Sequence, residues 1–184
     1  MKKNKTEKIF YEEYSSPIGT LRFLATERGL SELYIKGARQ KGGKDLGENF
    51  IKEPKVFKKV FKLFDLFFKG KKVEFNLPLD ITGTPFQLAV WKATKAIPFG
   101  SLTSYKEVAK SARRPKAVRA VGGALSVNPL PIIIPCHRVI TSNGKIGGFS
   151  LLGEGGGEAT KIALLKIEGF SLPLPLSSVK FKHP

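Results

Sequence analysis

The chain has 184 residues, of which 41% are hydrophobic and 10% aromatic, so it can form a hydrophobic core and is not disordered by composition. Its 32 lysines and arginines exceed its 15 acidic residues by a net charge of +17, which favours a polyanionic partner, most simply nucleic acid. One cysteine and two histidines exclude an intramolecular disulfide and a zinc site built from several cysteines.

The first part of the chain predicts a small sheet followed by a helix. Three short segments rich in aromatic and β-branched residues, Ile9 to Tyr14, Gly19 to Thr26 and Leu30 to Ile35, are separated by turn signals. The stretch from Ala38 to Gly47 is rich in Gly, Lys and Arg and is typical of a loop. From Pro54 to Lys69, phenylalanines recur at three- and four-residue steps between lysines, which predicts an amphipathic helix packed on the sheet. Because this helix is rich in lysine, a role in binding a membrane surface or DNA is an alternative for it.

The next part predicts a strand and then a helical module. Asn76 to Thr84 is typical of a strand followed by a linker. Pro85 to Ala96 predicts a helix with Thr84 as its N-cap, and Ser104 caps a second helix that ends at Ser111. Arg114 and Pro115 begin a third helix that runs to about Ser126. The last two helices, joined by a tight turn, indicate a helix-turn-helix.

Charge divides the chain further. From Thr82 to Gly153 there are ten basic residues and a single acid, Glu107, so this region is the better candidate for an anion-binding surface. We therefore predict an N-terminal domain over residues 1–80, a DNA-binding domain over residues 82–170 and a loosely held tail over residues 171–184. Met1 to Ser16 lacks the apolar run of a secretory signal, and no apolar run is long enough to span a membrane. We expect a soluble, cytoplasmic protein.

The segment from Asn128 to Ile140 carries the most chemistry. Ile132 to Ile134 predicts a buried, strand-like run between prolines, and Cys136, His137 and Arg138 follow it. A buried thiol beside an imidazole and a fixed cation can ionise to a nucleophilic thiolate. Consecutive side chains of an extended segment point in opposite directions, so the imidazole is expected to reach the thiol through a water molecule. The alternative is a core cysteine beside a hydrogen-bonded histidine.

The sequence around Cys136 resembles the O6-alkylguanine-DNA alkyltransferases, the methylated-DNA–protein-cysteine methyltransferases of direct DNA repair. The matching segments lie between about Gly83 and Phe170, and they are Ser104-Tyr105, Arg119-Ala-Val-Gly-Gly-Ala124, Asn128-Pro129 and Ile134-Pro-Cys-His-Arg-Val-Ile140. The resemblance implies an α/β (α+β) fold with an N-terminal RNase H-like sheet and helix and a C-terminal winged helix-turn-helix-like domain. It implies a monomer that acts on double-stranded DNA containing O6-alkylguanine and transfers the alkyl group irreversibly to Cys136, once per molecule. No metal or organic cofactor is implied.

The resemblance also assigns catalytic roles. His137 would take the proton of Cys136 through a water molecule, and Glu168 would stabilise the resulting imidazolium. Asn128 would brace the turn around the thiol by hydrogen bonding. Tyr105 would crowd the 3′ phosphate into rotating and would donate a hydrogen bond to the purine. The alternative for Glu168 is an acid at the surface end of a helix.

Further residues would contact the DNA and the extruded base. Arg119 would fill the space that the extruded nucleotide leaves, while small residues on the recognition helix permit close approach. The predicted DNA contacts are Arg119, Tyr105, Ala120, Gly123 and Arg138. The carbonyls of Cys136 and Val139 and the backbone near Ser150 would recognise the guanine edge.

One departure and three competing hypotheses remain. After Ser150, where the family usually continues with paired glycines, this chain has Leu151-Leu152, which leaves the role of Ser150 and the tolerance for bulky alkyl groups open. A non-catalytic lesion sensor of the alkyltransferase-like group would need Cys136 to be inert. A helix-turn-helix transcription regulator would explain the charge but not the Pro-Cys-His-Arg segment. A cysteine hydrolase would take its Cys and His from separate segments and would need an oxyanion hole that the sequence does not indicate.

Overall fold

An N-terminal four-stranded sheet and a C-terminal group of helices are joined by one continuous hydrophobic core. The computed structural model describes residues 8–36, 46, 49–149 and 156–171. The strands are β1 (Ile9–Ser16), β2 (Gly19–Thr26), β3 (Gly29–Ile35) and β4 (Phe50–Lys52), in the order β3-β2-β1-β4. The first three strands are antiparallel, as consecutive short strands with tight turns require, whereas β4 lies parallel to β1. The mixed α/β fold class is confirmed.

The first helix, α1 (Pro54–Phe68), packs its phenylalanine face on the sheet, as predicted. Its buried side chains are Phe57, Val60, Phe64 and Phe67, spaced at three and four residues. The ring of Phe64 meets the ring of Phe23 from β2 edge-on, with 4.9 Å between centroids. The lysines between these positions are exposed, so the helix is amphipathic, as its sequence predicts.

The segment after α1 is not the strand that the sequence predicts for Asn76 to Thr84. It makes a single bridge, in which the Leu30 N–H donates to Pro78 O and the Asp80 N–H donates to Leu30 O. Pro78 has no N–H to extend a ladder. The approach is close, since a Cβ at Gly29 would lie 2.5 Å from Pro78 O. Of the predicted loop from Ala38 to Gly47, all residues but Leu46 lie outside the described residues.

The C-terminal part contains α2 (Pro85–Lys95), α3 (Tyr105–Ser111), α4 (Val118–Ser126), α5 (Gly156–Ile167) and a parallel pair, β5 (Thr103–Ser104) with β6 (Val139–Ile140). The caps that the sequence predicts are present: Thr84 and Gln87 form a capping box, and Ser104 accepts from the Glu107 N–H. The predicted start of the third helix at Arg114 is wrong. Residues 115 and 116 form a turn, and no side chain caps α4 before Val118.

The buried run before Cys136 is a turn rather than a strand. Ile132 has a φ of 74°, and Pro131 pairs with Ile134 in an isolated β-bridge. The three isoleucines at positions 132–134 are buried, as predicted. Cys136–Arg138 forms one 3₁₀ turn rather than an extended segment, with the Arg138 N–H donating to Pro135 O at 2.9 Å. The expectation of alternating side chains at this point is therefore wrong, because it assumed an extended backbone.

The turn at Cys136 contacts α5, and Cys136 lines the same cavity as Tyr105 of α3 and Gly122 of α4. Trp91 links α2 to α4 through a hydrogen bond from its Nε1 to Ala124 O at 2.9 Å. Within the described ranges, no helix is both long enough and apolar enough to cross a membrane. Of the predicted tail, only Ser171 is described, and the rest lies outside the described residues.

Candidate active site

Cys136, the only cysteine of the chain, is buried and held by one side chain. The Asn128 Nδ2 group donates to Cys136 Sγ at 3.1 Å and to Ile134 O at 2.8 Å. The Asn128 Oδ1 atom accepts from the Leu130 N–H at 3.1 Å. One amide therefore links both ends of the turn to the sulfur, and a donor aimed at sulfur favours the thiolate over the thiol.

Behind the cysteine lies a buried cluster of three ionisable side chains. His137 Nε2 lies 2.7 Å from Glu168 Oε1, and the side chains of both residues are completely buried. The Arg138 Nε group donates to both Glu168 oxygens at 3.0 Å, and its Nη1 donates to Ile97 O at 2.6 Å. The Gly100 N–H supplies a further hydrogen bond to Glu168 Oε2. Glu168 is thus a fully bonded, buried carboxylate and not the surface acid of the alternative interpretation.

The pKa values in this cluster fix where the protons lie. Burial alone raises the pKa of Glu168, but His137 and Arg138 outweigh burial and lower that pKa to about 2. Burial lowers the pKa of His137 below its ordinary value, so the imidazole is neutral at pH 7. Since the ionised carboxylate only accepts, Nε2 carries the hydrogen and Nδ1 holds the lone pair. Among the described residues, Nδ1 has no hydrogen-bond partner, so it is available to accept a proton.

The electrostatics of Cys136 involve a residue that the sequence analysis does not identify. Burial raises the pKa of the thiol, and the hydrogen bond from Asn128 and the positive charge of Lys161 oppose that effect. Lys161, on α5, is fully buried. Arg138, which the sequence suggests as the fixed cation beside the thiol, is bonded to Glu168 instead. The spacing of Lys161 from the buried Leu164 and Leu165 is the helical signal that places it on the inner face of α5.

A cavity of about 420 Å³ opens directly onto the sulfur. Its lining comprises Tyr105, Gly122, Leu125, Ser126, Cys136, Gly148 and Phe149. This volume lies within the range of small-molecule sites, and the lining is mostly apolar. Burial, and then the proximity of Cys136, raise the pKa of Tyr105, so its hydroxyl keeps its proton at neutral pH and can donate it.

The exposed face of α4 carries small residues and one arginine. Arg119, Ala120 and Gly123 are all exposed, and a Cβ added at Gly123 would meet nothing within 4 Å. Close packing inside the protein is therefore not the reason for a glycine at position 123. Arg138, by contrast, is only 5% exposed and is bonded to Glu168 and Ile97 O, so its contact with DNA stays a prediction that this burial does not support.

Two predicted substrate-binding residues, Val139 and Ser150, are not seen in the lining of the cavity. Val139 is buried and does not line the cavity, and its carbonyl oxygen accepts from Lys161 Nζ at 2.6 Å. Ser150 lies outside the described residues. Among the residues that are described, no group of three His, Cys, Asp or Glu side chains is arranged to hold a metal ion.

Comparison with known proteins gives consistent matches along the chain. Residues 9–81 match the family model of the 6-O-methylguanine DNA methyltransferase ribonuclease-like domain, and residues 85–170 match that of its DNA binding domain. A methylated-DNA–protein-cysteine methyltransferase of Methanosarcina barkeri is 40% identical over 161 residues, which cover 87% of this chain and 97% of the relative. The ribonuclease-like match agrees with the RNase H-like sheet expected for the N-terminal part.

Solved structures give the same result. The O6-methylguanine methyltransferase of Mycobacterium tuberculosis has a TM-score of 0.76 at 37% identity, over 92% of this chain and 98% of the other. The structure of OGT from the same organism in complex with DNA has a TM-score of 0.73 at 38% identity, over 86% of this chain and 92% of the other.

Proposed function

This chain belongs to the 6-O-methylguanine DNA methyltransferase family, and we propose that Cys136 is the sulfur to which it transfers the alkyl group of O6-alkylguanine in DNA. The observation that carries this assignment is the position of the single thiol. Cys136 is held by Asn128 at 3.1 Å, is followed in the chain by the buried His137 and lines the cavity beside the exposed face of α4.

The proposed reaction begins with loss of the thiol proton. His137 Nδ1 accepts it through a water molecule, and the Glu168 carboxylate at Nε2 stabilises the imidazolium that forms. A lone pair of the thiolate then attacks the alkyl carbon in line with the bond to O6. The C–S bond forms as the C–O bond breaks, and the electron pair of that bond stays on the guanine. Because a thioether carbon is not attacked again, each chain reacts once.

Tyr105 and backbone carbonyl groups would contact the extruded guanine. The hydroxyl of Tyr105 protonates or hydrogen-bonds the guanine as negative charge develops on it, and a raised pKa keeps the proton in place for that step. The carbonyl of Val139 accepts one hydrogen bond from Lys161 and keeps a second lone pair for the guanine edge. The carbonyl of Cys136 and the backbone near Ser150 would complete the recognition.

The guanine must leave the duplex to reach a buried sulfur. Extrusion costs a few kcal/mol, and less for a poorly paired lesion. We propose that Arg119, at the first turn of α4, enters the vacated space, while Ala120 and Gly123 let the helix approach the minor groove. We further propose that the protein acts as a monomer in the cytoplasm, where a reducing medium preserves a free thiol.

Three competing functions are less well supported. A transcription regulator has no use for a hydrogen-bonded thiol that lines a cavity. A cysteine hydrolase needs oxyanion donors next to the sulfur, and Asn128, the side-chain donor at hydrogen-bond distance, is already bound to Ile134 O and the sulfur. A lesion sensor requires the thiol to be unreactive.

The experiment that tests the proposal compares wild type with Cys136→Ser on duplex DNA carrying labelled O6-methylguanine. We expect the wild type to remove the label and the serine variant to leave it on the DNA. Both should bind the duplex with the same affinity and the same decline with salt, because phosphate contacts are unchanged. Removal of the label by Cys136→Ser would overturn the assignment.

A further inference from the structure

The outer side of α1 carries a row of lysines. This lysine face comprises Lys55, Lys58, Lys59, Lys62 and, at the end of the helix, Lys69. All five are exposed, and none of their ammonium groups forms an ion pair with a carboxylate of the described residues. The acids nearby are bonded elsewhere, since Asp65 accepts from the Tyr14 hydroxyl at 2.8 Å and Glu53 caps the helix. The lysine face therefore presents uncompensated positive charge.

The positions of these lysines do not favour the helix itself. Lys55 lies in the first turn of α1, where the helix dipole favours a negative charge over a positive one. Lys55 and Lys59, and likewise Lys58 and Lys62, are like charges four residues apart, a spacing at which they repel each other. The stability of α1 therefore does not account for the lysine face, whereas a ligand of opposite charge does.

The packing of α1 favours a phosphate backbone over a membrane as that ligand. A helix that lies on a membrane inserts its apolar face among the lipids. The apolar face of α1 is already occupied, because Phe57, Phe64 and Phe67 are completely buried in the protein core. Its exposed apolar side chains, Val56 and Leu66, are ten residues apart and form no continuous stripe. Lysines can hold phosphate groups of DNA without any insertion.

The lysine face points away from the cavity at Cys136. Phe67, on the inner face of α1, has its ring centroid 6.2 Å from that of His137. The preceding residue, Cys136, lines the cavity together with Gly122 of α4. The turn at Cys136 thus lies between the inner face of α1 and α4, and the lysines lie on the other side of α1. Because duplex DNA is stiff over the width of a small protein, a duplex seated on α4 does not also reach the lysine face.

We propose that the lysine face of α1 is a second DNA-binding surface, which holds the phosphate backbone of another duplex segment while α4 holds the damaged one. From Lys55 to Lys69 the face is about 21 Å long, at about 1.5 Å per helical residue. That length matches roughly six base pairs of duplex. Since phosphate contacts carry no sequence information, the second segment is undamaged DNA of any sequence. The inference goes beyond the alkyl transfer and involves no step at Cys136.

The test mixes the protein with two duplexes of about 14 base pairs, each too short and too stiff to bend around it. One duplex contains O6-methylguanine and a donor fluorophore, and the other is undamaged and carries an acceptor. We expect the wild type to produce energy transfer between the duplexes, and sedimentation to show one chain with two duplexes. No energy transfer, or complexes in which two chains hold the two duplexes, would overturn the proposal.

The triple substitution Lys55→Gln/Lys59→Gln/Lys62→Gln removes three charges from the lysine face and keeps good helix formers. We expect it to bind the acceptor duplex about tenfold more weakly or worse, with the slope of log K against log salt concentration flattened by up to about 2.7. Alkyl transfer from the damaged duplex should be unchanged. The urea midpoint should not fall, because the substitution relieves repulsion between like charges.

The matched control, Lys8→Gln/Lys36→Gln/Lys166→Gln, removes the same charge from exposed positions outside α1. It should bring the two duplexes together as well as the wild type does. Equal energy transfer by both triple variants would show that net charge, and not the lysine face, attracts the second duplex, and the proposal would fail.

Two further outcomes separate the second DNA surface from other functions. Suppose that vesicles of phosphatidylglycerol sediment the wild type but not the α1 triple variant, while both proteins bring the duplexes together equally. The lysine face then binds lipid, and the proposal is wrong. Cys136→Ser should bring the duplexes together like the wild type, so a failure of the alkyl transfer can be told apart from a failure of this inference.

Discussion

Replacing Glu168 by glutamine tests the buried ion cluster behind Cys136 most sharply. The substitution keeps the shape of the side chain but removes the negative charge that compensates Arg138, whose side chain is only 6% exposed. The pKa of Glu168 falls from 4.5 to about 2 in the folded chain, and this difference corresponds to about 3 kcal/mol of stability at neutral pH. Measured losses of about 3–5 kcal/mol on breaking buried pairs agree with that figure.

The sign of the pH dependence follows from the same value. A carboxylate with a lowered folded pKa stabilises the protein above the unfolded pKa of 4.5, and that contribution disappears as pH falls towards 2. The gap between wild type and Glu168→Gln should therefore narrow from about 3 kcal/mol at pH 7 to about 1 kcal/mol at pH 3. Burial lowers the pKa of His137 and Glu168 raises it, so the same comparison is repeated in a His137→Gln background, in which no imidazole titrates at this position.

Urea unfolding of wild type, Glu168→Gln and the exposed control Glu74→Gln at both pH values measures these gaps. The control should match the wild type at each pH. A gap below about 1 kcal/mol at pH 7, or one that stays constant down to pH 3, would refute the account of the cluster.

Three further substitutions test other parts of the site. Asn128→Ala removes the donor to Sγ and the partners of Ile134 O and the Leu130 N–H, so thermal unfolding should reveal a loss of about 1–3 kcal/mol, together with slower transfer. Gly123→Ala should stabilise α4 by up to about 1 kcal/mol, because a Cβ at this position meets no other atom. Gly123→Leu should fold equally well but bind duplex DNA more weakly. Equal binding by both variants would exclude α4 as the face that contacts DNA. Arg119→Ala should slow transfer from duplex DNA but not from the free alkylated base, which needs no extrusion; equal slowing on both would contradict its role.

Elements with strong local signals could be predicted from the sequence. The spacing of phenylalanines defines α1, and the capping residues Thr84 and Ser104 define the starts of α2 and α3. The short strand β4 could not be predicted, because its three residues form a strand only by pairing with β1, some forty residues earlier along the chain. The turn at Ile132 could not be predicted either, since an apolar run between prolines has the same sequence pattern in a turn and in a strand.

The residues of the site likewise divide into those that the sequence predicts and those that only the fold brings together. The Pro-Cys-His-Arg segment indicates a reactive thiol from the sequence alone. Contacts between residues more than twenty positions apart depend on the tertiary fold and could not be predicted in this way. The sequence offers Glu168 as one of few acids late in the chain that could orient the imidazole, with a surface acid as the alternative. Only the fold shows that Glu168 is buried and paired with Arg138. Lys161 was missed because a lysine in a helix is most often exposed, and only the packing of α5 buries it.

The most direct test of the central claim is mass spectrometry of the peptide containing Cys136 after reaction with duplex DNA bearing O6-methylguanine. We predict one added methyl group per chain, carried by Cys136, with an equal amount of guanine restored in the DNA. Restored DNA alongside an unmodified Cys136, or more than one guanine restored per chain, would contradict it.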